Sequence, residues 1–375
     1  MKFSHISDTH LGQIRSKKAR MQDTDDAFRE AIGKSIEEKV DFVIFSGDIF
    51  DKSRPPNDAV LLVMEQLMLL KKNGIQSYFV LGQHDSPKTE QNAILWLYSM
   101  TGVAHYLGDG KPVKFKDVLL IGSDHRDEGN DLDELLEKFK VFDSVAKEHD
   151  GHKILVLHQG LNDVHDFAGE LNVDDLPKKF TYYAIGDIHK NFEKRYPSLG
   201  GPLVYPGSIE ISSTEGIKET SKGFYIVDIS SEEAIPKWIE LDLRPRFEME
   251  VDVNDLHEKV EDLISKINPL RRPLVKLTVL NVKEINDIRI DIERLQEHVL
   301  ELSYDIKTDD EQYRLVMDDS GNIDDDFKRL ATENVGPELA KLAFEKLYPL
   351  LNEDKHEIKE IIINYFEDFK AGNKK

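Results

Sequence analysis

Short apolar runs alternate with amphipathic stretches through the first 228 positions. KFSHIS, VDFVIFS, SYFVL, KILVL and TYYAI are five to seven residues long and rich in β-branched and aromatic side chains. They predict strands over 2–7, 41–46, 76–81, 153–157 and 181–185, with another near 118–122. Apolar residues at helical spacing predict helices near 22–39, 57–72, 89–101 and 131–148. Strand–helix alternation predicts an α/β fold of stacked sheet and helix layers, and Gly223-Phe-Tyr-Ile-Val-Asp228 reads as its late strand.

The texture changes from about 238. Alternating Glu248–Val253, a helix over 254–267, a strand over 274–280, a helix near 284–299 and a strand near 301–306 make a small α+β module. Residues 308–334 are polar and acidic, as in a linker. From Pro337 to about Phe369, Leu339, Leu342, Leu347, Ile358, Ile361, Ile362 and Tyr365 recur at helical spacing, with a break at Asn352. The expected division is 1–237, 238–307, a linker 308–334 and a helical region 335–375.

Five of the predicted strands end in polar tips: Asp8-Thr9-His10, Gly47-Asp48, Gly82-Gln83-His84-Asp85, His158-Gln159 and Gly186-Asp187-Ile188-His189. Ligand-rich strand tips build a site at the carboxyl edge of an α/β sheet. Asp8 and His10 stand two apart and are expected to project to one side of their strand. Gly47 lets the backbone turn so that Asp48 can bridge two ions. Aspartate, histidine and amide oxygen suit a pair of divalent metals. Such a pair suits phosphoester hydrolysis, one ion activating water and both steadying the developing charge. A lone Gly-Asp is usually a turn, and a lone His is more often a core residue than a ligand. Five such tips in order are hard to produce by chance.

The chain has 375 residues and no cysteine, which excludes a disulfide scaffold, a cysteine nucleophile and a thiolate zinc site. No apolar run approaches a membrane span, and a soluble, cytoplasmic protein is expected. The formal net charge of -22 argues against a basic DNA-coating protein. It leaves room for DNA work, because metals and local basic patches offset the global field. Arg15, Lys17, Lys18 and Arg20 form one such patch; Lys178 and Lys179, Lys190, Lys194 and Arg195, and Arg271 and Arg272 form others.

The set SDTHLG, GDIFDKSRP, GQHD, LHQG and GDIHK, followed by VYPGS, resembles the calcineurin-like metallophosphoesterases. More narrowly it resembles the SbcD-type DNA double-strand-break repair nucleases, the archaeal form of the meiotic-recombination nuclease family. The resemblance covers about residues 1–228. It implies a layered metallophosphoesterase sandwich with a small DNA-binding capping domain and C-terminal helices. It also implies a manganese-dependent endo- and exonuclease carrying two Mn2+ ions, with Mg2+ as the alternative. By that resemblance Asp8, His10 and His189 bind the first ion, Asp48 bridges, and Gln83, His158 and Asp187 bind the second. His84 assists phosphodiester cleavage. Three positions depart from the family pattern. Gln83 stands for Asn, Asp187 for His, and Asp51 for a His associated with positioning DNA ends. The first two fall on the second ion and should make its site harder or weaker.

Implied partners are DNA, a second copy of the chain and an SbcC-type ABC ATPase docked on the C-terminal helices. The predicted helices 57–72 and 89–101 carry more apolar residues than one buried face requires, and Val60, Met64, Trp96 and Met100 are the candidates for the dimer contact. Two alternatives remain: a small-nucleotide phosphodiesterase or phosphatase of the same superfamily, and a DNA-end-binding scaffold with an impaired second metal site.

Overall fold

A computed structural model of the chain describes residues 1–13, 18–87, 92–126, 130–165, 171–211, 221–283 and 286–307. The acidic stretch 308–334, the terminal region 335–375, and Arg15 and Lys17 lie outside the described residues. The chain divides into two compact units, the first ending at Arg244 and the second beginning at Pro245.

The first unit holds strands β1 (Lys2–Ile6), β2 (Phe42–Ser46), β3 (Gln76–Val80), β4 (His105–Tyr106), β5 (Val113–Phe115), β6 (Val118–Ser123), β7 (Lys153–His158), β8 (Tyr182–Gly186), β9 (Phe192–Arg195), β10 (Pro202–Tyr205), β11 (Gly223–Asp228) and β12 (Ile235–Glu240). Its helices are α1 (Lys18–Glu37), α2 (Asn57–Lys72), α3 (Trp96–Met100) and α4 (Asn130–Lys147). One sheet runs β12-β11-β1-β2-β3-β4 and the other β5-β6-β7-β8-β10-β9. β1, β2 and β3 are parallel neighbours, as are β6, β7 and β8.

Each central strand is apolar on both faces because each face has its own core. In β2, Phe42 and Ile44 join the cluster between the two sheets, while Val43 and Phe45 join the cluster under α1 and α2. In β7, Ile154 and Val156 face the inter-sheet core, and Leu155 and Leu157 face the core under α4. A period of two shared between two cores gives four layers, helix–sheet–sheet–helix. Phe42 stacks on Phe3 at 5.0 Å between ring centroids and meets Tyr78 edge-on at 5.8 Å. Truncating such a side chain to alanine costs about 3–5 kcal/mol.

The sequence reading needs three corrections here. The boundary expected at 237/238 cuts β12, which pairs along its length with β11. The units part at Arg244/Pro245 instead. The helix expected over 89–101 is reduced, among the described residues, to the single turn and a half of α3. Arg20 is not a surface cation: it is buried, bonded to Asp23 at 2.8 Å and 3.6 Å from Glu210. No described helix is long and apolar enough to cross a membrane.

The second unit contains β13 (Arg246–Asp252), α5 (Leu256–Lys266), β14 (Leu274–Leu280), α6 (Asn286–His298) and β15 (Glu301–Lys307). Its three strands are all parallel, in the order β13-β14-β15, and the helices are the crossovers that parallel pairing demands. Val275, Leu277 and Val279 of β14 pack with Leu256, Val260 and Leu263 of α5 and Ile288, Ile292 and Leu295 of α6.

Candidate metal centre

The five polar tips lie at or just past the ends of β1, β2, β3, β7 and β8. Among the described residues, seven non-glycine residues have positive φ, and four of them are Asp8, His10, Asp48 and Asp187. Left-handed backbone at non-glycine residues is uncommon and is held there by its surroundings. The expectation that Asp8 and His10 converge through strand alternation therefore needs correcting. β1 ends at Ile6, and φ of 51° at Asp8 and 43° at His10 turns the chain inward. His10 N–H donates to the Asp48 carbonyl (3.1 Å) and Asp8 N–H to that of Gly47 (3.2 Å), so the first two tips hold each other.

Four imidazoles and three carboxylates converge from the five tips. His10 Nε2 lies 3.0 Å from His189 Nε2 and 3.9 Å from Asp48 Oδ2. His189 Nε2 is 3.8 Å from Asp8 Oδ1. His158 Nε2 is 3.4 Å from Asp48 Oδ2 and 3.8 Å from Asp187 Oδ1. At 2.7 Å from the Ser46 carbonyl, His158 Nδ1 must carry a proton and donate it, which leaves Nε2 as the nitrogen that faces Asp48. That Nε2 is buried and makes no hydrogen bond. His84 repeats the device: its Nδ1–H donates to the Asp51 carbonyl at 2.7 Å, and its Nε2 stands 4.0 Å from Asp48 Oδ2 at the exposed mouth.

The glycines in these tips make room. A Cβ on Gly47, which has φ 94°, would stand 2.2 Å from His158 Nδ1, and one on Gly82 would stand 2.0 Å from Asp48 Oδ1. Burial opposes ionisation of Asp48, but His158, then His10 and His84, outweigh it and hold this carboxyl well below its usual range. Burial works against a charged His158; Asp48, with Asp8 and Asp187, outweighs it and draws the imidazole well above its usual value. His10 is pushed down to about 3, chiefly by burial, and is neutral.

A profile described as calcineurin-like phosphoesterase matches residues 1–191. The DNA double-strand break repair protein Mre11 of Methanocaldococcus jannaschii is 35% identical over 286 residues, 73% of this chain and 75% of that protein. The same-named protein of Thermoplasma acidophilum is 33% identical over 77% of this chain and 80% of its own length. That of Sulfurisphaera tokodaii is 31% identical over 75% and 73%. The chain is a calcineurin-like phosphoesterase of the Mre11 family.

The residues present fit the divalent metals such a phosphoesterase uses. Asp8, His10 and His189 bring one donor atom each within 4.8 Å of one another; so do His10, Asp48 and His84, and so do Asp8, Asp48 and His158. Two imidazole nitrogens face each other at 3.0 Å, and a third is buried without a partner. Asp187 borders the third group through His158. Gln83, the expected amide ligand, stands apart: it is exposed, and its side chain makes no hydrogen bond among the described residues. Asp85 occupies the interior of that turn instead. It is fully buried, and its carboxylate accepts the amides of Ile49 (3.2 Å), Phe50 (2.9 Å) and Gly82 (3.1 Å).

Asp85 is one of several residues whose part the motifs did not reveal. It braces the backbone around Asp48, and burial, then the Asp48 charge, pushes its carboxyl up to about 7. The end of β6 is a sixth tip: Asp124 accepts the Leu81 amide at 2.8 Å, and His125 Nδ1–H donates to the His158 carbonyl at 3.2 Å. Gln159 pairs with both backbone groups of Arg126, tying this tip to that of β7. Lys222, buried, donates to the His189 carbonyl at 3.0 Å. The Asp-His pair at 124–125 follows an apolar strand and was visible as a motif; a lone lysine carries no such signal.

Proposed function

We propose that the chain is a divalent-metal-dependent DNA nuclease that hydrolyses phosphodiester bonds in double-strand-break repair. One observation carries the reading: strand tips from four distant parts of the chain bring Asp8, His10, Asp48, His158 and His189 to one cluster, in a chain whose relatives are named double-strand break repair proteins. Asp8, His10 and His189 would hold one ion, His158 and Asp187 a second, and Asp48 would be shared. Gln83 joins the second set only if its amide turns inward. Bound ions would polarise phosphoryl oxygens and supply an activated water. Manganese, or magnesium in its place, suits a donor set mixing carboxylates with imidazoles.

The protein groups orient the rest. The Ser46 carbonyl presents His158 through Nε2, and the Asp51 carbonyl presents His84 the same way. His84 sits at the mouth, 41% exposed, where it can protonate the leaving oxygen or hold the scissile phosphate. The amide of Asp187 donates to Asp8 at 3.3 Å, keeping the fifth tip against the first. The second unit would cap the substrate, and residues 335–375, expected to be helical and given reach by the acidic stretch 308–334, would dock an SbcC-type ABC ATPase.

A homodimer through α2 and α3 completes the proposal. Trp96 and Met100 are exposed, together with Leu61, Met68 and Leu97; Val60 and Met64 are half-buried against the core. A two-fold contact uses one patch twice, and Trp96→Glu should sediment as a monomer, whereas a wild type already monomeric at micromolar concentration contradicts the dimer. The exposed Gln83 favours one alternative, a DNA-end scaffold with a weak second position. Metal-titrated hydrolysis of linear duplex, single-stranded and hairpin DNA, with a small phosphodiester as control, separates the readings. Manganese-dependent DNA cleavage lost in Asp8→Asn is expected. Full activity in that variant, or turnover of the small ester alone, would overturn the nuclease; DNA binding without cleavage would favour the scaffold.

A further inference from the structure

We propose that Asp51 is a positioning residue for two imidazoles, its carboxylate orienting His10 and its backbone carbonyl orienting His84. The inference rests on the metal-centre reading above.

His10 directs Nε2 at His189 Nε2, 3.0 Å away, so Nε2 is its inward atom. An imidazole that binds an ion through one nitrogen carries its proton on the other, and that N–H usually finds a carboxylate, a carbonyl or water. The Nδ1 of His10 is buried and makes no hydrogen bond. The Asp51 carboxylate is the acidic group in front of it: Oδ1 lies 3.8 Å from Nδ1, with only 12% of the Asp51 side chain exposed. That separation is about 1 Å beyond a charge-assisted hydrogen bond, within reach of a side-chain rotation.

The backbone at this point is already anchored. Asp51 N–H donates to the Leu11 carbonyl at 3.1 Å, and Leu11 and Phe50 bridge in parallel, so residue 51 is tied to the segment that carries His10. Its own carbonyl accepts the Nδ1–H of His84 at 2.7 Å. The rings of His10 and His84 meet edge to face, 5.0 Å apart at 87°. One residue thus stands behind both imidazoles and uses a different group on each. His158 and His84 rest on neutral carbonyls, whereas the outer nitrogen of His10 faces a carboxylate. A carboxylate there raises the basicity of the ligand and tightens its ion.

The two roles separate by mutation, because a side-chain change at 51 leaves the carbonyl that holds His84. The test is a Mn2+ titration of the full chain followed by electron paramagnetic resonance of the free ion, with wild type, Asp51→Ala and Asp51→Asn. Asp51→Ala should weaken the tighter class of Mn2+ sites about 10–100-fold. Asp51→Asn, whose amide oxygen still accepts, should recover part of the loss, and turnover at saturating Mn2+ should fall by less than the affinity does. Melting in EDTA checks that each variant folds. If Asp51→Ala does not fold, the His10 Nδ1 proton decides. In the Mg2+-loaded wild type it should give a slowly exchanging downfield NMR signal that moves upfield in Asp51→Asn. Equal Mn2+ affinity in wild type and Asp51→Ala, or a proton signal unchanged in Asp51→Asn, overturns the proposal. A wild type that binds no Mn2+ would instead overturn the metal-centre reading itself.

Discussion

The two sides of the centre are built from different donors and anchored in different ways. On one side His10 and His189 oppose two imidazole nitrogens at 3.0 Å, with Asp8 beside them. On the other, His158 is the single imidazole, facing Asp48 and Asp187. The nitrogen-rich side relies on its donors, and His10 has no hydrogen bond at its outer nitrogen. The oxygen-rich side relies on rigidity: His158 is fully buried and locked to the Ser46 carbonyl, with Gly47 pressed against its ring. Nitrogen donors suit borderline ions, and carboxylates suit harder ones that bind such sites more weakly. On the proposed reading the centre holds two unequal ions, the tighter at His10 and His189.

The largest break in that comparison comes from deleting a donor. His189→Ala should remove the tighter class of Mn2+ sites, on the order of 100-fold or more in affinity. Asp187→Ala should weaken only the other class. Calorimetric Mn2+ titration of the two variants checks this, and the reverse pattern would exchange the assignments.

Gly47→Ala should act on rigidity alone. Its Cβ would meet His158 at 2.2 Å from a backbone with φ 94°, so the Ser46–His158 bond must yield. We expect a stability loss of about 1–3 kcal/mol from strain, by urea unfolding in EDTA. The His158-side ion should be lost and the His10 side spared. Unchanged binding on both sides would mean that Gly47 serves only the turn.

How far the sequence reveals this centre depends on which physical signal each part leaves. Asp8, His10, Asp48, His158 and His189 were legible because a polar tip after an apolar strand is a local pattern. The layered fold was legible for the same reason, since strands such as β2 and β7 feed two cores and are apolar throughout. β4, β5, β9, β10 and β12 were not, being short or only half-buried. Asp85 lay within a recognised motif, but its partners, the amides of Ile49 and Phe50, come from another loop, and only the tertiary fold brings them there. Gln83 illustrates the converse: the motif places a residue at the tip, while the turn leaves its side chain in solvent. Val60 and Met64 show that helical spacing alone cannot tell a second exposed stripe from the flank of the first.

The smallest effect sharpens the rigid side. His5 is buried between the sheets, with Nε2 2.9 Å from Ser46 Oγ and Nδ1 3.1 Å from the Tyr182 hydroxyl. Burial pushes its pKa from 6.5 down to about 3. The unfolded chain therefore takes up this proton first as pH falls. The stabilisation is full above about 6.5 and is lost towards 3, roughly 2 kcal/mol of it by pH 5. Ser46 carries His158 on its carbonyl, so acid should loosen the oxygen-rich side. Urea unfolding in EDTA at pH 8 and pH 5 should show the drop in wild type and a smaller one in His5→Asn. Equal drops would assign the acid sensitivity to other groups.

Anomalous scattering from crystals soaked in manganese tests the two unequal positions most directly. The account predicts two peaks in contact with Asp48, the stronger beside His10 and His189 and the weaker beside His158 and Asp187. A stronger peak on the His158 side, or no peak touching Asp48, would contradict it.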